Sequence, residues 1–279
     1  TDGFFWGGFW EYFKHPTGIA IDNQRERVYI SQHGSVGAAA GGFYNNGKVT
    51  RFNLRPNNQM NIWWNWYGPS PLGPAPPEPA NTGNIFGSNT NNIAFSFVND
   101  VAVDEEAGFL YVSEGLKHRI QKFDIRTDLV QWIGDVGSKG SGNGELLFPE
   151  AIDVDKQGNL YVADSANHRI QKFDREGRFV QSWGSFGFGN GKLLYPFGLA
   201  VDPTYNIVYV TDPFNKQVLL YSTTGQYLTS WNNNSYSIGG IIGYGNGDFV
   251  FSRGPSFERY SIVNPDVDNN NNGIPDSLE

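Results

Sequence analysis

From Pro149 to Gly184 the chain reads PEAIDVDKQGNLYVADSANHRIQKFDREGRFVQSWG, four short apolar runs parted by turn residues. The runs are Ala151–Val154, Leu160–Ala163, Arg169–Phe173 and Phe179–Trp183. They are rich in β-branched and aromatic residues, and three of them alternate with polar positions, the period of a strand with one buried face. Lys156-Gln157-Gly158-Asn159 and Arg175-Glu176-Gly177 lie between runs and supply turn chemistry. The pattern predicts a four-stranded antiparallel meander.

The same pattern recurs along the chain, which makes it a repeat unit. Residues 196–231 and 98–134 are close copies, and 16–31 begins a copy that resumes at Lys48–Asn53 and Gln59–Trp66. Residues 238–263 hold three runs and no fourth. Residues 3–16, GFFWGGFWEYFKHP, resemble the outer strand and exit loop of a unit, since Trp6-Gly7 matches Trp183-Gly184 and Pro16 matches Pro196. A ring whose last sheet is completed by the N-terminal strand has no long exposed edge. The expected fold is therefore all-β: a β-propeller of five four-stranded blades closed by the N-terminal strand, with six blades as the alternative. Trp66, Trp132, Trp183 and Trp231 recur near the ends of fourth strands and are expected to pack between blades.

The segment Asn167-His168-Arg169-Ile170-Gln171-Lys172-Phe173-Asp174, preceded by Tyr161-Val162-Ala163-Asp164-Ser165, resembles the NHL repeat, and Lys117–Asp124 repeats the match. The resemblance covers about residues 3–263 and implies an NHL-type propeller over 1–263, followed by a separate segment, 264–279. NHL propellers usually have six blades. They bind proteins, RNA or small molecules, and their lyase relatives hold zinc in the channel.

Composition narrows these options. Charged residues are sparse at 17%, and the net charge of −8 disfavours a nucleic-acid partner, because phosphate binding needs clustered Lys and Arg. The absence of Cys excludes disulfides, thiolate metal sites and cysteine nucleophiles. His118 and His168 share one repeat position, which marks them as architecture, and no channel-facing set of three histidines matches the lyase zinc site. No apolar run is long enough to span a membrane. The chain begins at Thr1 without a basic and apolar leader. The expectation is a secreted chain, extracellular or at a cell surface, from which a signal peptide has been removed.

The first unit departs from its siblings at two insertions, 33–47 and 67–96. The second contains Pro69, Pro71, Pro74, Pro76, Pro77 and Pro79, too many prolines for a central strand. In a meander the second-to-third and fourth-to-first connections leave from one end of the sheet. Both insertions thus share a face with the loops Glu114–Lys117, Asp164–Asn167, Asp212–Lys216, Gly137–Phe148 and Gly184–Tyr195. That face is the expected site for a protein partner or for copies of the chain itself. The alternative is that the insertions are neutral.

Two sets of residues suggest ligand chemistry. Gln32, Glu114, Asp164, Asp212 and Arg253 each end a second strand, near the expected channel mouth. They are candidates for a cation or a polar ligand, or alternatively caps of their own loops. Near the C-terminus, Asp268, Asn270, Asn272, Asp276 and Glu279 occupy positions 1, 3, 5, 9 and 12 of a calcium-loop pattern. Gly273 stands at the sharp turn, and the Ile274 carbonyl is placed at position 7. This segment resembles thrombospondin type 3 and dockerin-like calcium repeats, which implies bound Ca2+ and further domains beyond Glu279. The expected function is a non-enzymatic extracellular binding or assembly module with a calcium-stiffened linker. The alternative is a propeller-type lyase or lactonase with a metal in its channel.

Overall fold

The computed structural model describes residues 16–32, 48–54, 60–61, 95, 97–202, 204–232, 238–243, 247–253 and 256–261. Among them the regular elements are strands, apart from two single-turn 3-10 helices, and no helix is long and apolar enough to cross a membrane. The chain divides into two compact units, Thr1–Asp135 and Val136–Glu279.

In the first unit one sheet is formed by β1 (Pro16–Asp22), β2 (Arg27–Gln32), β3 (Lys48–Leu54) and β4 (Met60–Asn61). A second is formed by β5 (Val98–Asp104), β6 (Phe109–Glu114), β7 (Arg119–Asp124) and β8 (Gln131–Val136). The second unit opens with a short parallel pair, β9 (Ser138–Lys139) and β10 (Glu145–Leu146). Its third sheet contains β11 (Pro149–Val154), β12 (Leu160–Asp164), β13 (Arg169–Phe173) and β14 (Phe179–Trp183). The fourth contains β15 (Gly198–Asp202), β16 (Ile207–Asp212), β17 (Gln217–Ser222) and β18 (Tyr227–Asn232). The fifth contains β19 (Ile238–Gly243), β20 (Asp248–Arg253) and β21 (Ser256–Ser261). Each of the five sheets is ordered as its strands follow in sequence, as the repeat predicts.

Tight turns join the strands because the closing Asp supplies acceptors for orphan backbone N–H groups. Asp22 accepts from Arg25 N, Asp104 from Ala107 N, Asp155 from Gln157 and Asn159 N, and Asp202 from Thr204 and Tyr205 N. The second-to-third turns share a less common feature. His118, His168 and Lys216 all take φ near +56°, at 56°, 58° and 55°. Each donates its N–H to the carbonyl three residues earlier. The two histidines are thus turn architecture.

Cores form where neighbouring sheets of one unit meet. In the first unit Tyr29, Val49, Val101, Val112 and Phe123 are buried together. Phe95, at the end of the 67–96 insertion, joins them edge-on to Phe123 at 5.9 Å, so this residue belongs to the core. Between the third and fourth sheets Tyr161, Ile170, Leu193, Val208 and Leu219 are buried, with Trp183 packed on Tyr161 and Tyr221. Between the fourth and fifth, Tyr209 stacks on Phe249 at 4.6 Å, and Trp231 lies against Phe249. Each buried aliphatic or aromatic side chain contributes about 1.5–3 kcal/mol.

Trp132 differs from expectation. It is 37% exposed and donates its indole N–H to Asp135. It stands two residues before Gly134, whereas Trp183 directly precedes Gly184, and a one-residue shift along a strand reverses the side chain's face. The closing N-terminal strand, Trp66, His15, His33, the insertion 33–47, most of 67–96 and the segment 264–279 lie outside the described residues.

Candidate binding face

The acids at the ends of the second strands are hydrogen-bonded to the turns, third strands and exit loops around them. Asp164 is fully buried. Its Oδ1 accepts from Leu147 N (2.7 Å), and its Oδ2 from Arg169 Nε (2.7 Å) and Gln171 Nε2 (2.9 Å). Asn167 Nδ2 donates to the same carboxylate. Asp212, also fully buried, accepts from Leu194 N (2.6 Å), Tyr195 N (3.2 Å), and the backbone and side-chain nitrogens of Asn215. Glu114 is bonded by Arg119 Nε (2.7 Å) and Gln121 Nε2 (2.8 Å), with Lys117 Nζ at 3.6 Å. Gln32 is buried at the end of β2, and the backbone of Arg253 pairs with Ile238 and Ser256. Gln32 and Glu114 belong to the first unit, and Asp164, Asp212 and Arg253 to the second. Among the described residues no three His, Asp or Glu side chains form a metal group.

Asp164 and Asp212 each tie an exit loop to the turn it crosses. Asp164 holds Gly137–Phe148 and Asp212 holds Gly184–Tyr195, so both loop types occupy one end of the third and fourth sheets. The two exit loops read GSKGSGNGELLF and GSFGFGNGKLLY. Their backbones correspond at the two ends, whereas between them Gly187 and Gly189 take φ of 147° and 98° and the aligned Gly140 and Gly142 stay out of the positive region. Gly137 and Gly184 have φ of 78° and 84°, and Gly144 and Gly191 have 79° and 67°. A Cβ on Gly137 would meet Leu146 Cδ1 at 2.4 Å, and one on Gly184 would meet Leu193 Cδ1 at 2.6 Å. Both leucines are fully buried. The two loops are thus anchored alike at their ends.

The side chains displayed on them are not the same. Phe186 and Phe188 are 67% and 77% exposed, where the sibling loop has Lys139 and Ser141. Phe214 is 61% exposed, where the sibling turn has Ala166. Phe186 lies edge-on to His168 at 4.9 Å, and Phe214 edge-on to Tyr195 at 5.8 Å. Asn215 Nδ2 donates to Gly187 O, between the two loop phenylalanines, at 3.2 Å. This bond brings the turn bearing Phe214 against the loop. The sibling loop is anchored at matching glycines and leucine with Lys and Ser in these places, so that anchoring does not depend on the aromatics. Hydrophobic periodicity does not single them out. The register of one exit loop against the other does.

A second departure lies on β11. Asp153 faces Tyr161 in register, where Ala20 faces Tyr29, Ala102 faces Tyr111 and Ala200 faces Tyr209. Burial pushes the Asp153 carboxyl up to about 6, against the opposing pull of N–H groups from Val201 and Val154. Glu150 is pushed up to about 7 by burial, partly offset by the Tyr195 hydroxyl, which donates to it at 3.1 Å. The Tyr195 hydroxyl is raised in turn, by burial and by the Glu150 charge.

Residues 146–173 match the family model of the NHL repeat. No curated protein sequence matches the chain. A solved chain from the "Crystal structure of Nidogen/Laminin Complex" is similar in fold at a TM-score of 0.61 and 15% identity, over 88% of this chain and 75% of that one. A chain of Kuenenia stuttgartiensis hydrazine synthase has a TM-score of 0.47 and 16% identity, over 59% of this chain and 46% of that one. The sheets and the fold likeness together define a five-bladed β-propeller arrangement, with an NHL-repeat match at residues 146–173.

Proposed function

We propose that this chain is a secreted, non-enzymatic propeller module that binds protein through the loop end of its blades. The observation that carries the reading is the set Phe186, Phe188 and Phe214, exposed on braced loops whose sibling carries Lys139, Ser141 and Ala166. Aromatic side chains are what protein interfaces favour as anchors, because each buries a large apolar area on docking. The fold neighbour comes from a complex of two proteins, which agrees with this use of a propeller. A photo-crosslinking residue at position 188, in the extracellular fraction of the source cells, should form a protein adduct that the same residue at position 141 does not form. If no protein adduct forms, or if both positions give the same one, the reading fails.

Residues 264–279 are read as a calcium-stiffened linker separate from the propeller at 1–263. Asp268, Asn270, Asn272, Asp276, Glu279 and the Ile274 carbonyl offer the hard oxygens that Ca2+ prefers. Calorimetry should detect one calcium per chain and none after removal of 264–279. Zinc or iron retained through dialysis would instead favour the lyase or lactonase alternative.

A further inference from the structure

The proposed binding face points to its own partner. We infer that the platform of Phe186, Phe188, Phe214 and Tyr195 receives the proline-rich segment Tyr67–Ala80 of a second copy of this chain. The inference rests on the protein-binding reading above and assigns the occupant.

Three observations favour that occupant. First, the segment reads YGPSPLGPAPPEPA, with three overlapping P-x-x-P steps at Pro71–Pro74, Pro74–Pro77 and Pro76–Pro79. Such a sequence favours the extended polyproline II form, and aromatic-lined surfaces bind that form at low entropic cost. The platform offers Phe214 edge-on to Tyr195 at 5.8 Å, and Asn215 Nδ2 ties the Phe214 turn to Gly187 O, between the two loop phenylalanines. Second, the charges are complementary. The segment has a single charged residue, Glu78, while the loop and turn bearing the platform contribute Lys192 and Lys216. Third, the segment has reach. Pro74 is 13 residues from Asn61, the last described residue of β4. An extended proline-rich chain of that length spans about 40 Å, enough to meet a neighbouring molecule.

The sibling repeat supplies the replacement residues: F186K/F188S/F214A. Purified wild-type chain should show association that rises with concentration in light scattering. The triple variant should remain monomeric with unchanged thermal unfolding. Synthetic peptide Tyr67–Ala80 should dissociate the wild-type assembly and bind the triple variant at least tenfold more weakly than wild type. In a mixture of isotopically heavy and light chains, crosslinking from position 188 should join one chain to residues 67–80 of the other.

A wild-type chain that stays monomeric, a crosslink confined to single chains, or a triple variant that associates normally would each overturn the inference. These outcomes leave the protein-binding reading standing if position 188 captures a different protein in the extracellular fraction. If it captures none, both fail.

Discussion

Replacing Asp153 with alanine, the residue at positions 20, 102 and 200 in sibling strands, is expected to flatten the pH dependence of stability. The folded chain holds this carboxyl at about 6, against 3.8 for the unperturbed group. Folding therefore favours the protonated form. The associated stability is fully present below about pH 4 and is lost as pH rises through 6. The rise from 3.8 to about 6 corresponds to about 3 kcal/mol over that window. The change at a single pH is less informative, because alanine leaves Val201 N and Val154 N without their carboxylate acceptors. Each lost bond costs about 1–3 kcal/mol, which opposes the relief from burying a charge. The slope separates the two effects, since the hydrogen-bond loss carries over to every pH and the titration does not. Urea unfolding followed by tryptophan fluorescence from pH 4 to 8 measures it. Glu150, held at about 7, supplies a second decline that D153A leaves in place. Equal slopes for wild type and D153A would refute the assignment.

Removing Arg169 takes a partner from a fully buried carboxylate and one donor from each of the carbonyls of Ser141, Gly142 and Glu145. R169A should lose about 3–5 kcal/mol and speed amide exchange across 137–148, and unchanged exchange there would contradict the bracing role. Leu193→Ala empties a fully buried position between the third and fourth blades and should cost about 2–5 kcal/mol by urea unfolding; a loss under about 1 kcal/mol would place Leu193 outside the core.

The blades were legible because each strand buries one face at period two, and because Gly, Asn and Asp mark the turns at fixed offsets. The runs at Leu160–Ala163 and Arg169–Phe173 match β12 and β13 to within a residue. Trp132 was not legible, since residue type alone does not fix register against Gly134. The acids at 114, 164 and 212 stand out in sequence as a recurring position, but their hydrogen-bond partners come from third strands, turns and exit loops that only folding brings together. Phe186 and Phe188 hid inside a glycine-rich stretch that reads as a turn. They emerge when each repeat position is read for how it differs from its siblings, and Asp153 emerges the same way.

The duplicated exit loop also has a bearing on valency. Leu146 and Leu193 anchor the two loops from below and matching glycines shape their ends, so that anchoring does not depend on the residues displayed on top. A chain carrying K139F and S141F would present a second aromatic pair from the neighbouring blade. One molecule would then offer two attachment points, which is the difference between a chain that pairs and a chain that branches.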